Sequence, residues 1–145
     1  MGGEVRSPQM RGLGILAIPV SPAAVDWSLL FLRVVVALVF GTSGFSHLKS
    51  PRQRAESLGF SVAFTLFLGA AELAAAIGLA AGVLAQWAAL GLILISLGAI
   101  YTKAAKWKTG FWGEKASGWH YDLLFVAMNL VILTTGGGGL ALMPA

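Results

Sequence analysis

Residues 60–81 read FSVAFTLFLGAAELAAAIGLAA, and a single charge, Glu72, stands near the middle of that run. About 20 apolar residues are what an α-helix needs to cross a bilayer core of about 30 Å. A carboxylate inside such a helix is costly unless it faces a protein interior, a water-filled cavity or a partner. The run therefore marks a membrane helix whose carboxylate needs company from elsewhere in the chain.

The rest of the composition agrees. The 145 residues suit one domain; they are 57% hydrophobic and 11% charged. A soluble domain carries about 25% charged residues, and the mean hydropathy here is +0.82. The net charge of +4 reflects ten Lys and Arg against six acids, and all the cations but Arg33 flank apolar segments. That placement fits phospholipid head groups and topology, whereas a nucleic-acid surface would interleave a basic run with aromatics. Nucleic acid is excluded as a partner on that ground. Cysteine is absent, which removes disulfides, thiolate metal sites and cysteine nucleophiles from the chain.

Hydropathy predicts four transmembrane helices. The first spans residues 27–47, with Asp26 as N-cap, Trp27 as interface anchor and Arg33 as its one internal charge. Arg33, Ala37, Phe40, Gly44 and His47 share a face. A basic, Pro-containing loop, Lys49 to Arg54, ends it. The second spans 60–81, where Ser61, Thr65, Gly69, Glu72 and Ala76 form a small, polar packing stripe. Gly82 turns the chain into the third, 83–101, with Gln86 and Ser96 as polar points. A loop over 103–118 mixes Lys106, Lys108 and Lys115 with Trp107, Phe111 and Trp112, as head-group layers favour. The fourth spans 119–135, with Asp122 and Asn129 on one face. Gly136–Gly139 stops it and begins a flexible exit; no Lys-Ser/Thr follows, so this is no phosphate loop.

Short connections make the expected architecture an all-α, antiparallel four-transmembrane-helix bundle over residues 27–135. Residues 1–26 form an N-terminal tail and 136–145 a Gly-rich C-terminal tail. The apolar run 13–20 is too short to span; a Pro at each end of its stretch and only two preceding Arg favour a surface tail over a signal peptide. Lys49, Arg52, Arg54, Lys103, Lys106, Lys108 and Lys115 all fall in loops 48–59 and 103–118, against Arg6 and Arg11 on the other side. The positive-inside rule makes these loops cytoplasmic and leaves both termini outside.

Counting depth from the helix ends brings three buried polar residues to one level. Arg33 lies about 9 Å in from Trp27, Glu72 about 14 Å from Ala81 and Asn129 about 10 Å from Gly136. Arg33, Glu72 and Asn129 are therefore the candidate ligand-binding residues. The pairing has two readings: an ion pair that fixes helix registry, or a pocket for a quinone head group or small anion. In the second, Arg33 donates hydrogen bonds and Glu72 accepts a proton.

A second polar level, His47, Lys103, Tyr121 and Asp122 with neighbouring His120, is expected at the cytoplasmic side. Two histidines there suggest a bis-imidazole haem, but both sit at helix ends where rings meet water or head groups. The donors are too few and too exposed for a metal site. A snorkelling Lys103 and an Asp122 at a helix N-terminus need no ligand.

Arg33, the pattern Gly44-Phe45-Ser46-His47-Leu48, Glu72, Gly110-Phe111-Trp112 and the run Gly118-Trp119-His120-Tyr121-Asp122-Leu123-Leu124 occur in a telling order. Over residues 29–142 the chain resembles the DoxX family of four-helix bacterial membrane proteins. Two features depart from that pattern. His47 replaces the usual Lys, and the terminal Gly-rich segment lacks the Ser and Asp of many members. The resemblance implies a place in the bacterial inner membrane beside redox-linked complexes, since relatives include DoxD-type subunits of thiosulfate:quinone oxidoreductase.

Two functions follow as expectations. One is a quinone-interacting or redox-linked subunit. The other is a non-catalytic accessory subunit that packs in a larger respiratory or photosynthetic assembly and seats lipid or pigment. No haem, flavin or iron–sulfur ligation pattern is visible, so no cofactor is intrinsic beyond a bound quinone, and electron transfer needs partner subunits. A transporter fits worse, because Phe40, Leu97 and Val126 separate the two polar levels.

Overall fold

A computed structural model of the chain describes residues 18–113 and 118–143. The readings that rest on Arg6, Arg11, Lys115 and residues 1–17 and 144–145 lie outside these. The described residues hold five α-helices and no strand: α1 Pro22–Lys49, α2 Pro51–Leu58, α3 Val62–Ala81, α4 Ala85–Tyr101 and α5 His120–Thr135. A π-helical turn, Thr102–Lys106, extends α4.

Local chemistry sets these ends. The Ser21 hydroxyl accepts from the Ala24 N–H, and Pro22 occupies the first turn, where its missing N–H costs nothing. Asp26 is therefore not the N-cap; it lies inside α1. Ser61 caps α3 through the Phe64 N–H. Gly82 closes α3 at φ 68°, the left-handed conformation that glycine adopts without a Cβ penalty. Ser50 and Pro51 restart a helix where a loop was expected, so the basic segment after α1 is the short helix α2.

Three helices are long and apolar enough to cross a membrane: Pro22–Lys49, Val62–Ala81 and Ala85–Lys106. Such helices imply a lipid bilayer environment. Helix α5 has 16 residues, about 24 Å at 1.5 Å per residue, short of a bilayer core. The large apolar side chains are displayed outward: Phe31, Leu38, Phe67, Trp87 and Leu94 are each more than three-fifths exposed. A water-facing surface would not tolerate that array, whereas acyl chains do.

The core is built from Val36, Phe40, Ala76, Leu79, Ala89, Leu92 and Ile132, contributed by all four long helices. Helix α1 packs chiefly on α3 and α4 on α5. Glycines let α1 and α3 touch: a Cβ on Gly44 would stand 2.7 Å from the Gly69 carbonyl oxygen. At the other end of the same pair, Arg33 reaches the Leu79 carbonyl, so α1 and α3 run antiparallel. Phe40 meets Phe125 edge-on at 5.2 Å, joining α1 to α5. Gln86 donates to the Leu133 carbonyl at 2.7 Å, joining α4 to α5.

Candidate functional site

The expected cluster of Arg33, Glu72 and Asn129 does not form. All three are buried, at 1%, 4% and 0% exposure, but each turns to different company. Arg33 donates from Nη1 to the Leu79 carbonyl at 3.2 Å and from Nη2 to the Leu140 carbonyl at 3.1 Å. Asn129 donates from Nδ2 to Phe125 on its own helix. Glu72 faces His47, with Oε2 3.8 Å from Nε2.

Helix register is the reason. The residue of α1 that abuts Glu72 is Gly44, whose Cβ would lie 3.0 Å from Glu72 Cβ. Arg33 lies eleven positions earlier (44 − 33) on the same helix, about 16 Å along the axis. No side chain spans that. The depth count fails because α1 begins at Pro22, not Trp27, so Trp27 does not mark the level of Ala81.

His47 is thus drawn from the expected second level into the site of Glu72. Its Nδ1 accepts from Arg54 Nε at 3.4 Å. With Nδ1 accepting, the ring proton sits on Nε2 and points toward the carboxylate. A distance of 3.8 Å is beyond a hydrogen bond, and Glu72 Oε2 is buried without a hydrogen-bond partner. Ser43 and Arg54 are close enough to act on the same carboxyl group. The assembled site is Glu72, His47, Arg54 and Ser43, from α3, α1 and α2. Sequence reasoning missed Arg54; the available signal was Ser50-Pro51, a helix start that carries Arg54 back under His47.

Of the remaining second-level residues, two are brought together. Lys103 and Asp122 form a salt bridge at 2.7 Å, with both side chains 15% exposed. The π-helical turn carries Lys103 inward to it, and the Thr109 hydroxyl and N–H both donate to the Lys103 carbonyl. Tyr121 is exposed and stacks beside His120, ring centroids 4.1 Å apart. His120 packs against Phe111 and Trp112 instead of approaching His47. Among the described residues no group of three His, Cys, Asp or Glu could hold a metal ion.

The model of the DoxX-like family matches residues 31–136, from within α1 to the end of α5. The chain belongs to the DoxX-like family. No curated protein and no solved structure matches it. In this DoxX-like chain the matched region holds Ser43, His47, Arg54 and Glu72, and so contains the whole polar site.

Proposed function

We propose that this DoxX-like protein is a quinone-interacting, redox-linked membrane subunit whose head-group site is Glu72 with His47, Arg54 and Ser43. The observation that carries this reading is the orphaned Glu72 Oε2, buried beside a ring N–H that stops 3.8 Å away. A buried carboxylate oxygen without a partner is costly. The hydroxyl of the reduced form, the quinol, placed there would donate to Oε2, and the imidazole N–H would support the same oxygen. The quinone supplies the redox chemistry; the chain supplies a proton acceptor at Oε2 and a positive edge from Arg54. Its electron partner belongs to another subunit.

The same proposal includes the finer architecture. Helix α5, though short, completes an antiparallel four-helix bundle in a bacterial inner membrane. Lys49, Arg52, Arg54, Lys106 and Lys108 cluster at the end that carries α2 and the π-helical turn, which the positive-inside rule makes cytoplasmic. The end that carries Pro22, Gly82 and Gly136 then lies outside.

A second reading rests on a different observation. An apolar groove of about 770 Å³ runs between α3 and α4, lined by residues such as Phe67, Ala71, Gly78, Trp87 and Gly91. It suits an accessory subunit that seats a lipid or pigment tail inside a larger complex. Purified protein titrated with a soluble short-tailed quinol separates the two. Saturable binding that Glu72→Gln abolishes supports the head-group site. Binding that ignores Glu72→Gln but is lost when Gly91→Leu fills the groove supports the second reading.

A further inference from the structure

Arg33 is 1% exposed, and among the described residues no carboxylate lies within salt-bridge distance of it. Its Nε is buried without a partner. A guanidinium taken out of water is costly to leave without an opposite charge, and an ionisable residue at membrane depth marks a functional site by default. Two neutral carbonyls offset only part of that cost.

One of those carbonyls, Leu140, belongs to segment 136–143, which is not helical. This segment folds back over the α3–α4 turn as a strap. The Gly139 N–H donates to Asp26 Oδ1 at 2.7 Å. The Leu142 and Met143 N–H groups donate to the Ala81 and Gly82 carbonyls. Ala141 lies over Gly82, where a Cβ would also collide with Arg33 Nη1. Gly136 and Gly138 take positive φ angles at the strap's base. Asp26, the acid nearest in sequence, latches the strap, and among the described residues no acid neutralises the cation.

We infer that Arg33 is an anion-binding site covered by a releasable strap, residues 136–143. Its ligand is a compact oxyanion, free or carried on a phospholipid head group, that replaces the Leu140 carbonyl on the guanidinium. An ionised acceptor makes a hydrogen bond roughly twice as strong as a neutral one, which is what favours exchange. The site lies at the opposite end of α1 from Glu72 and does not depend on the quinone reading.

The chain has no cysteine, so Ala141→Cys introduces a unique thiol on the strap's inner face, against Gly82. Its maleimide labelling rate is measured in neutral detergent, with inorganic phosphate or gluconate at equal ionic strength, and separately with added phosphatidylglycerol. A saturable, severalfold rise with phosphate identifies a free oxyanion. A rise with phosphatidylglycerol alone identifies a head group. Adding Asp26→Asn raises the basal rate and lowers the phosphate concentration needed. Adding Arg33→Gln removes the response. Rates indifferent to both anions in the Ala141→Cys protein and its Asp26→Asn form overturn the site, as does a response that survives Arg33→Gln. Should Arg33→Gln not fold, the Asp26→Asn series decides alone.

Discussion

Gly44 and Gly69 meet across the α1–α3 crossing with only backbone between them, and this contact brings His47 to Glu72. A Cβ on Gly69 would stand 2.7 Å from His47 Cβ, and one on Gly44 would stand 2.9 Å from the Leu73 nitrogen. The two atoms nearest a Cβ on Gly44 are both backbone, so relief there requires the helices to separate. Gly44→Ala should cost about 1–3 kcal/mol through overpacking, read as a lowered midpoint of thermal unfolding in detergent. Gly91→Ala, which meets nothing within 4 Å, should instead be neutral or stabilise by about 0.5–1 kcal/mol as a helix-interior glycine replaced.

His47 is the neighbour that makes the Glu72 carboxylate tolerable. His47→Leu should cost about 1–3 kcal/mol, because it strips a polar partner from a buried acid. His47→Lys puts a donor back at the same place, now cationic, and should cost less. Unfolding midpoints of the two variants, ranked against the parent, test this; a better-tolerated Leu would contradict it.

Lys103 and Asp122 tie the π-helical turn to α5. Both side chains are 15% exposed, so solvent screens the pair less than a surface ion pair. A double-mutant cycle with Lys103→Met and Asp122→Asn should give a coupling of about 1–2 kcal/mol, above the usual value for exposed pairs. Additive effects would show that the bridge contributes nothing.

Arg33 binds two carbonyls on separate segments, Leu79 at the end of α3 and Leu140 in the strap. A forked guanidinium can hold both at once and an ammonium cannot do so in the same geometry. Arg33→Lys should therefore keep the charge yet cost about 1–3 kcal/mol, with faster amide exchange at Leu142 and Met143. Unchanged exchange there would mean that Arg33 does not hold the strap.

Hydropathy made the long helices legible, and of the expected inward stripe Thr65, Gly69, Glu72 and Ala76 are buried as their spacing predicts, while Ser61 caps the helix and is exposed. Arg33 and Asn129 were also recognisable as interior residues. Their partners were not, because pairing depends on register between helices. Depth counted from assumed ends was in error once α1 began at Pro22. Helix α2 was hidden by its polar sequence, which resembles a loop unless Ser50-Pro51 is read as a start. The strap was hidden for a different reason. Four consecutive glycines suggest freedom, but the Gly139 N–H is fixed by Asp26, more than a hundred residues away in sequence.

Glu72 is coupled to His47 across the α1–α3 crossing and not to Arg33. Two double-mutant cycles on unfolding free energy in detergent test it directly, one with Glu72→Gln and His47→Leu, the other with Glu72→Gln and Arg33→Gln. A coupling of about 1 kcal/mol or more is expected for the first and additivity within about 0.5 kcal/mol for the second. An additive first cycle beside a strongly coupled second would restore the Arg33–Glu72 pair and contradict the site described.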